Sequence, residues 1–121
     1  MSEHFAVTQI DHKALQGRFD VDLGVVHYFS DGVYSKEMHI PKGHIAGKHV
    51  HNYSHLSILA KGEVIVRVGN VAAHYIAPAC IHIEAGKHHS IESLEDTVWY
   101  CIHATEETDV NKVDAVLIQE I

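Results

Sequence analysis

The sequence predicts an all-β fold, on three observations. Short runs of β-branched and aromatic residues recur along the chain. Gly, Pro, Asn or Asp break them at regular spacing, and only the last stretch carries helical spacing. In order, the expected strands are Val21–Phe29, Val33–Ile40, His55–Ala60, Glu63–Val68, Ala72–Ile76, Ile81–Glu84 and Thr97–His103. The breaks fall at Ser30-Asp31-Gly32, Pro41-Lys42-Gly43, Lys61-Gly62 and Gly69-Asn70, a pattern of antiparallel sandwiches and barrels. Ile58–Ala60 and Glu63–Val68 read as a tight hairpin about Lys61-Gly62, with Gly62 supplying a positive-φ position. The exception is the tail. Asp109 suits an N-cap, and Val110, Val113, Ala115–Leu117 and Ile118 form a loose apolar stripe, so a short helix is expected over 109–118.

With 121 residues, 46% hydrophobic and 21% charged, the chain has the make-up of one globular domain with a modest core. No window approaches 18 consecutive apolar residues, and Met1 to Thr8 lacks a basic-then-apolar leader, so a soluble cytoplasmic protein is expected. A net charge of −7 without a Lys/Arg cluster argues against nucleic acid and anionic membranes as partners. Cys80 and Cys101 are too few for a disulfide framework, are not at metal-ligand spacing, and read as small buried hydrophobes on strands. A glycine-rich phosphate loop, a G-x-S-x-G elbow and an H-E-x-x-H helix are all absent from the sequence.

What departs from ordinary usage is histidine, at 13 of 121 residues. Imidazole is the commonest protein metal ligand and titrates near neutral pH, so spacing has to decide what the histidines do. In a strand, residues i and i+2 share a face about 6–7 Å apart, which lets His49 and His51 reach one ion while Val50 points away. His55 lies four residues further on, and a bulge near Asn52–Ser54 would bring it to the same centre. A fourth ligand has to come from a distant strand, for which His88-His89 is the evident source. Neighbouring strand residues face opposite ways, so one of that pair points at the centre. His44, His74, His82 and His103 are not placed by spacing, although His103 shares a strand face with Trp99 and Cys101.

The order of these residues resembles the cupin superfamily. Its first motif, G-x5-H-x-H-x3–4-E-x6-G, is matched by Gly43, His49, His51 and Gly62, with His55 standing where glutamate is usual. Its second, P-x-G-x2-H, is matched by Gly86 and His89, with Glu84 in the place of proline. The resemblance covers residues 33–103. It implies a double-stranded β-helix, the jelly-roll barrel of the cupins, as a single domain over 1–121.

The resemblance also implies a metal held by His49, His51, His55 and His89: one divalent transition metal per chain, drawn from Mn, Fe, Ni, Cu or Zn. Four neutral imidazoles in place of three and a carboxylate would leave the full charge on the ion, making it a stronger Lewis acid. Two adjacent open positions would accept dioxygen and a small chelating substrate, so a dioxygenase-type oxidoreductase is the expected activity. A cupin isomerase or lyase, and a non-catalytic module binding metal or a small ligand, are the alternatives. Small cupins commonly pair, and Phe5 to Ile10 suits an edge or swapped strand, so a homodimer is expected.

Overall fold

Period-two alternation of apolar residues gives each strand one face for the interior, and two such faces packed together make the core. The computed structural model describes residues 8–11, 23–113 and 118–119. Eleven strands appear among them: β1 (Thr8–Asp11), β2 (Val26–Ser30), β3 (Val33–Ile40), β4 (Ile45–His51), β5 (His55–Lys61), β6 (Glu63–Val68), β7 (Val71–Ile76), β8 (Ala79–Ile83), β9 (His88–Ser93), β10 (Thr97–Ala104) and β11 (Ile118–Gln119). They form a six-stranded sheet ordered β1-β2-β3-β10-β5-β8 and a five-stranded sheet ordered β11-β4-β9-β6-β7. All pairings are antiparallel. From β3 to β6 successive strands alternate between the sheets, and from β7 to β10 they do so again. That is the winding of a double-stranded β-helix, as the resemblance implies.

The interior between the sheets is filled by Trp99, Leu59, Ile83, Val64, Ile91 and Ile40, each at most 1% exposed. Burying a side chain of this size contributes about 1.5–3 kcal/mol, so these residues supply most of the force holding the sheets together. A smaller cluster of Phe29, Tyr34 and Val113 packs where the β2–β3 hairpin meets the chain after β10.

Three expectations need correction. Both cysteines lie on strands, but only Cys101 is buried; Cys80, on β8, faces outward and is exposed. Lys61-Gly62 does not close a hairpin, because β5 and β6 lie in different sheets and Gly62 turns the corner between them. Gly62 has φ +102°, and a Cβ there would sit 2.6 Å from the Asp96 carbonyl oxygen and 2.9 Å from Thr97 Cα. The glycine therefore serves a close backbone crossing as well as the turn. The tight hairpin in this region is instead β6–β7, closed by Gly69-Asn70.

Nor, among the described residues, is the C-terminal helix seen beyond Val113. Asp109 does cap: its Oδ1 accepts the Asn111 N–H at 2.9 Å, and its carbonyl accepts those of Lys112 and Val113. Residues 114–117 lie outside those described, and Ile118–Gln119 pair as β11 with His51 and Val50 of β4. The edge of β4 offers backbone partners, and Ile118–Gln119 satisfy them as a strand. Of the expected edge strand Phe5 to Ile10, residues 8–10 pair with β2 of the same chain, and residues 5–7 lie outside those described.

On the outer face of the larger sheet, Glu37 sits among Tyr28, Tyr100 and His39. The Tyr28 hydroxyl donates to it at 2.9 Å and His39 Nε2 lies 2.6 Å away. Burial pushes the carboxyl up, but hydrogen bonds from His39, Tyr28 and Tyr100 outweigh it and hold Glu37 below the usual range. Burial, followed by the hydrogen bond and charge of Glu37, pushes Tyr100 up to about 12. A tyrosine whose pKa is higher folded than unfolded loses its contribution as pH rises from about 10 to about 12. Parent protein should therefore lose stability over that window, and E37Q should flatten the loss. Urea midpoints measured across the window check this, and parallel curves for the two proteins would refute it.

Candidate metal centre

Along the three strands that face one another inside the barrel, the inward residues change character from one end to the other. On β10 they run Thr97, Trp99, Cys101, His103; on β5, Leu59, Ser57, His55; on β9, Ser93, Ile91, His89, all buried. Register aligns the middle of the change, with Trp99 opposite Leu59 and Cys101 opposite Ser57. Apolar residues thus fill one end and imidazoles gather at the other. His51, the last residue of β4, brings a fourth ring from the facing sheet.

The rings form a connected group. Centroids lie 4.1 Å apart for His55–His103, 4.4 Å for His51–His55, 4.7 Å for His51–His89, 5.2 Å for His51–His103 and 6.3 Å for His55–His89. All four residues are 3–5% exposed. Tyr34, 1% exposed, stacks beyond His103 with centroids 6.1 Å apart, and its hydroxyl lies 2.7 Å from Nδ1 of buried His27.

One ring nitrogen each from His51, His55 and His103 lies within 4.8 Å of the other two. Ligands about 2.1 Å from an ion stand at most about 4.2 Å apart, so rotating these rings by a few tenths of an ångström closes the set. The donor chemistry fits as well. Two imidazolium cations at the His55–His103 separation would repel by about 4 kcal/mol at an effective dielectric of 20, whereas neutral rings offer lone pairs to one cation. The cluster could therefore hold a transition metal.

Of the four ligands expected from sequence, His51 and His55 come together with His103. His89 packs against His51 but stands outside the nitrogen trio. The backbone of His49 pairs with that of His89 across β4 and β9, and its side chain lies outside the described residues. Between Ala46 and His49 the register slips at Gly47, whose φ is +74°. A Cβ on Gly47 would sit 3.3 Å from His89 Nε2, so this bulge leaves room for that imidazole. His103 was not placed by motif spacing, and its shared face with Trp99 and Cys101 is the signal that points to it. His44, His74, His82 and His88 are exposed, His74 beside Glu63 and His44 beside the Pro41 and Lys42 carbonyls. A groove of about 520 Å³ opens at the opposite end of β3, β5 and β10, lined in part by His39, Ile40, Lys61 and Thr97, away from the buried histidine cluster.

No protein-family model and no curated protein matches the chain. Solved structures do match in fold. A cupin-2 domain from Rhodospirillum rubrum has a TM-score of 0.64 at 14% identity, over 85% of this chain and 72% of that one. An RmlC-like cupin from Shewanella frigidimarina has 0.61 at 19%, over 85% and 91%. A variant of the salicylate 1,2-dioxygenase of Pseudoaminobacter salicylatoxidans has 0.67 at 8%, over 88% of this chain and 34% of that one. Strand order, winding and these likenesses together establish that the chain has the cupin fold.

Proposed function

We propose that this protein is a metal-dependent enzyme of dioxygenase type acting on a small organic substrate. The observation that carries the reading is the buried trio His51, His55 and His103, gathered at one end of the barrel interior. One divalent transition metal per chain, Mn, Fe, Ni, Cu or Zn, is the cofactor. His51 and His55 are ligands, and His49, His89 and His103 supply the remaining protein positions. When bound, the metal contributes Lewis-acid and dioxygen chemistry at the mouth of the imidazole cluster. The chain's own part is to hold the rings on strands from both sheets and to keep bulk water out. Trp99, Leu59 and Ile91 close the floor behind the rings. That one protein sharing the fold is named a salicylate dioxygenase supports the reaction class by analogy alone. A homodimer and a cytoplasmic location accompany the proposal as expectations.

Oxygen uptake tests it. Protein loaded in turn with each metal is offered a panel of phenols, hydroxy acids and diketones. The expected result is uptake with one metal and one substrate class, lost on His51→Ala.

A second reading is a closed metal site that ties the two sheets together without turnover, which the 3–5% exposure of the rings favours. A four-coordinate Co²⁺ spectrum with no uptake would select it, and an open five- or six-coordinate spectrum would select the enzyme.

A further inference from the structure

Beneath the imidazoles, within the apolar floor, Trp99, Cys101 and Ser57 form a polar chain. Trp99 Nε1–H donates to Cys101 Sγ at 3.3 Å, and the Ser57 hydroxyl donates to the same sulfur at 3.8 Å. Ser57 Oγ also lies 3.2 Å from His55 Nε2. A serine hydroxyl has one proton and two lone pairs. Directed at Cys101, that proton leaves Ser57 to meet His55 as an acceptor, the arrangement in which the imidazole hydrogen is on Nε2. The lone pair of His55 then sits on Nδ1. Ser57 is fully buried and Cys101 is 5% exposed, so bulk water does not compete for these bonds.

We infer that Ser57 is a positioning residue, which, with Cys101 beneath it, holds His55 as the Nε2–H tautomer and presents Nδ1 to the metal centre. The inference deepens the metal reading and depends on it for the last step, though not for the tautomer. Its logic is general: a ligating histidine takes its ring orientation and donor atom from the partner of its other nitrogen, and losing that partner typically costs 10–100-fold in metal affinity. None of the sequence motifs marks Ser57 or Cys101. Both follow from the alternation that puts His55 and Ser57, and His103 and Cys101, on one interior face.

Long-range nitrogen–proton NMR of ¹⁵N-histidine protein, with and without Zn²⁺, tests the inference alongside Zn²⁺ titration. In metal-free parent protein, His55 should carry its proton on Nε2, and on adding Zn²⁺ the Nδ1 resonance should be the one that moves. Ser57→Ala should release the tautomer and weaken Zn²⁺ binding about tenfold or more. Cys101→Ala should free the serine proton to face His55, raising the Nδ1–H population while Ser57 remains. A parent His55 with an unprotonated Nε2 would overturn the inference. So would Ser57→Ala with both tautomer and affinity unchanged. A parent that binds no Zn²⁺ yet keeps the Nε2–H tautomer through Ser57 would remove the metal reading and uphold the positioning role.

Discussion

Replacing His51 with Ala is expected to abolish stoichiometric metal binding. Of the four rings, His51 is the one whose centroid lies within 5.2 Å of every other, at 4.4, 4.7 and 5.2 Å from His55, His89 and His103. Removing it takes away a donor and opens the gap between the two sheets at the site. The loss of affinity should exceed the 10–100-fold that follows loss of an outer hydrogen-bond partner. Stability reports it directly. A metal that binds only the folded chain adds about 4 kcal/mol at a free concentration 1,000 times its Kd, an increase in Tm on the order of ten to twenty degrees for a domain of this size. Calorimetry of the parent with and without metal should show that rise, and His51→Ala should show none. An equal rise in the variant would mean that the ion binds elsewhere.

Gly62→Ala is expected to have the largest effect on the fold itself. The new methyl would meet the backbone of Asp96 and Thr97 at under 3.0 Å, and the residue would be held at φ +102°, which an L side chain rarely adopts. Strained backbone costs about 1–3 kcal/mol and overpacking a similar amount, so a loss of roughly 3 kcal/mol or more follows, a large share of a domain's stability. The corner cannot relax without cost. The Gly62 carbonyl accepts the Ala77 N–H at 3.0 Å, and the Glu63 carbonyl accepts that of Leu94 at 2.8 Å, tying β5–β6 to two other loops. An unchanged urea midpoint would show that the crossing is looser than the geometry indicates.

These two residues also mark what the sequence makes legible. Gly62 is recognisable as a positive-φ glycine between two strands, but whether it closes a hairpin or turns a corner between sheets depends on contacts with residues 96–97, more than thirty positions away. Strands with unbroken alternation, such as Val33–Ile40 and Glu63–Val68, coincide with those observed. β4 is harder to read because the slip at Gly47 interrupts its period. The tail misleads for a different reason. A short apolar run is compatible with helix or strand, and the open edge of β4, a tertiary feature, is what Ile118–Gln119 answer. At the site, motif spacing singles out His51 and His55, while His103 reaches them through the pairing of β10 with β5, which no local spacing encodes. Spacing does not mark buried His27, because its partner, the Tyr34 hydroxyl, is a cross-strand contact.

The central claim, a histidine centre built to hold a metal, is tested most directly by elemental analysis of untagged protein after dialysis against each candidate metal and then against metal-free buffer. The account predicts about one transition-metal ion per chain, removed by chelator with a fall in Tm and absent from His51→Ala. A parent that retains no metal from any of the five, with a Tm indifferent to chelator, would contradict it and leave the imidazole cluster as a polar interior of the barrel.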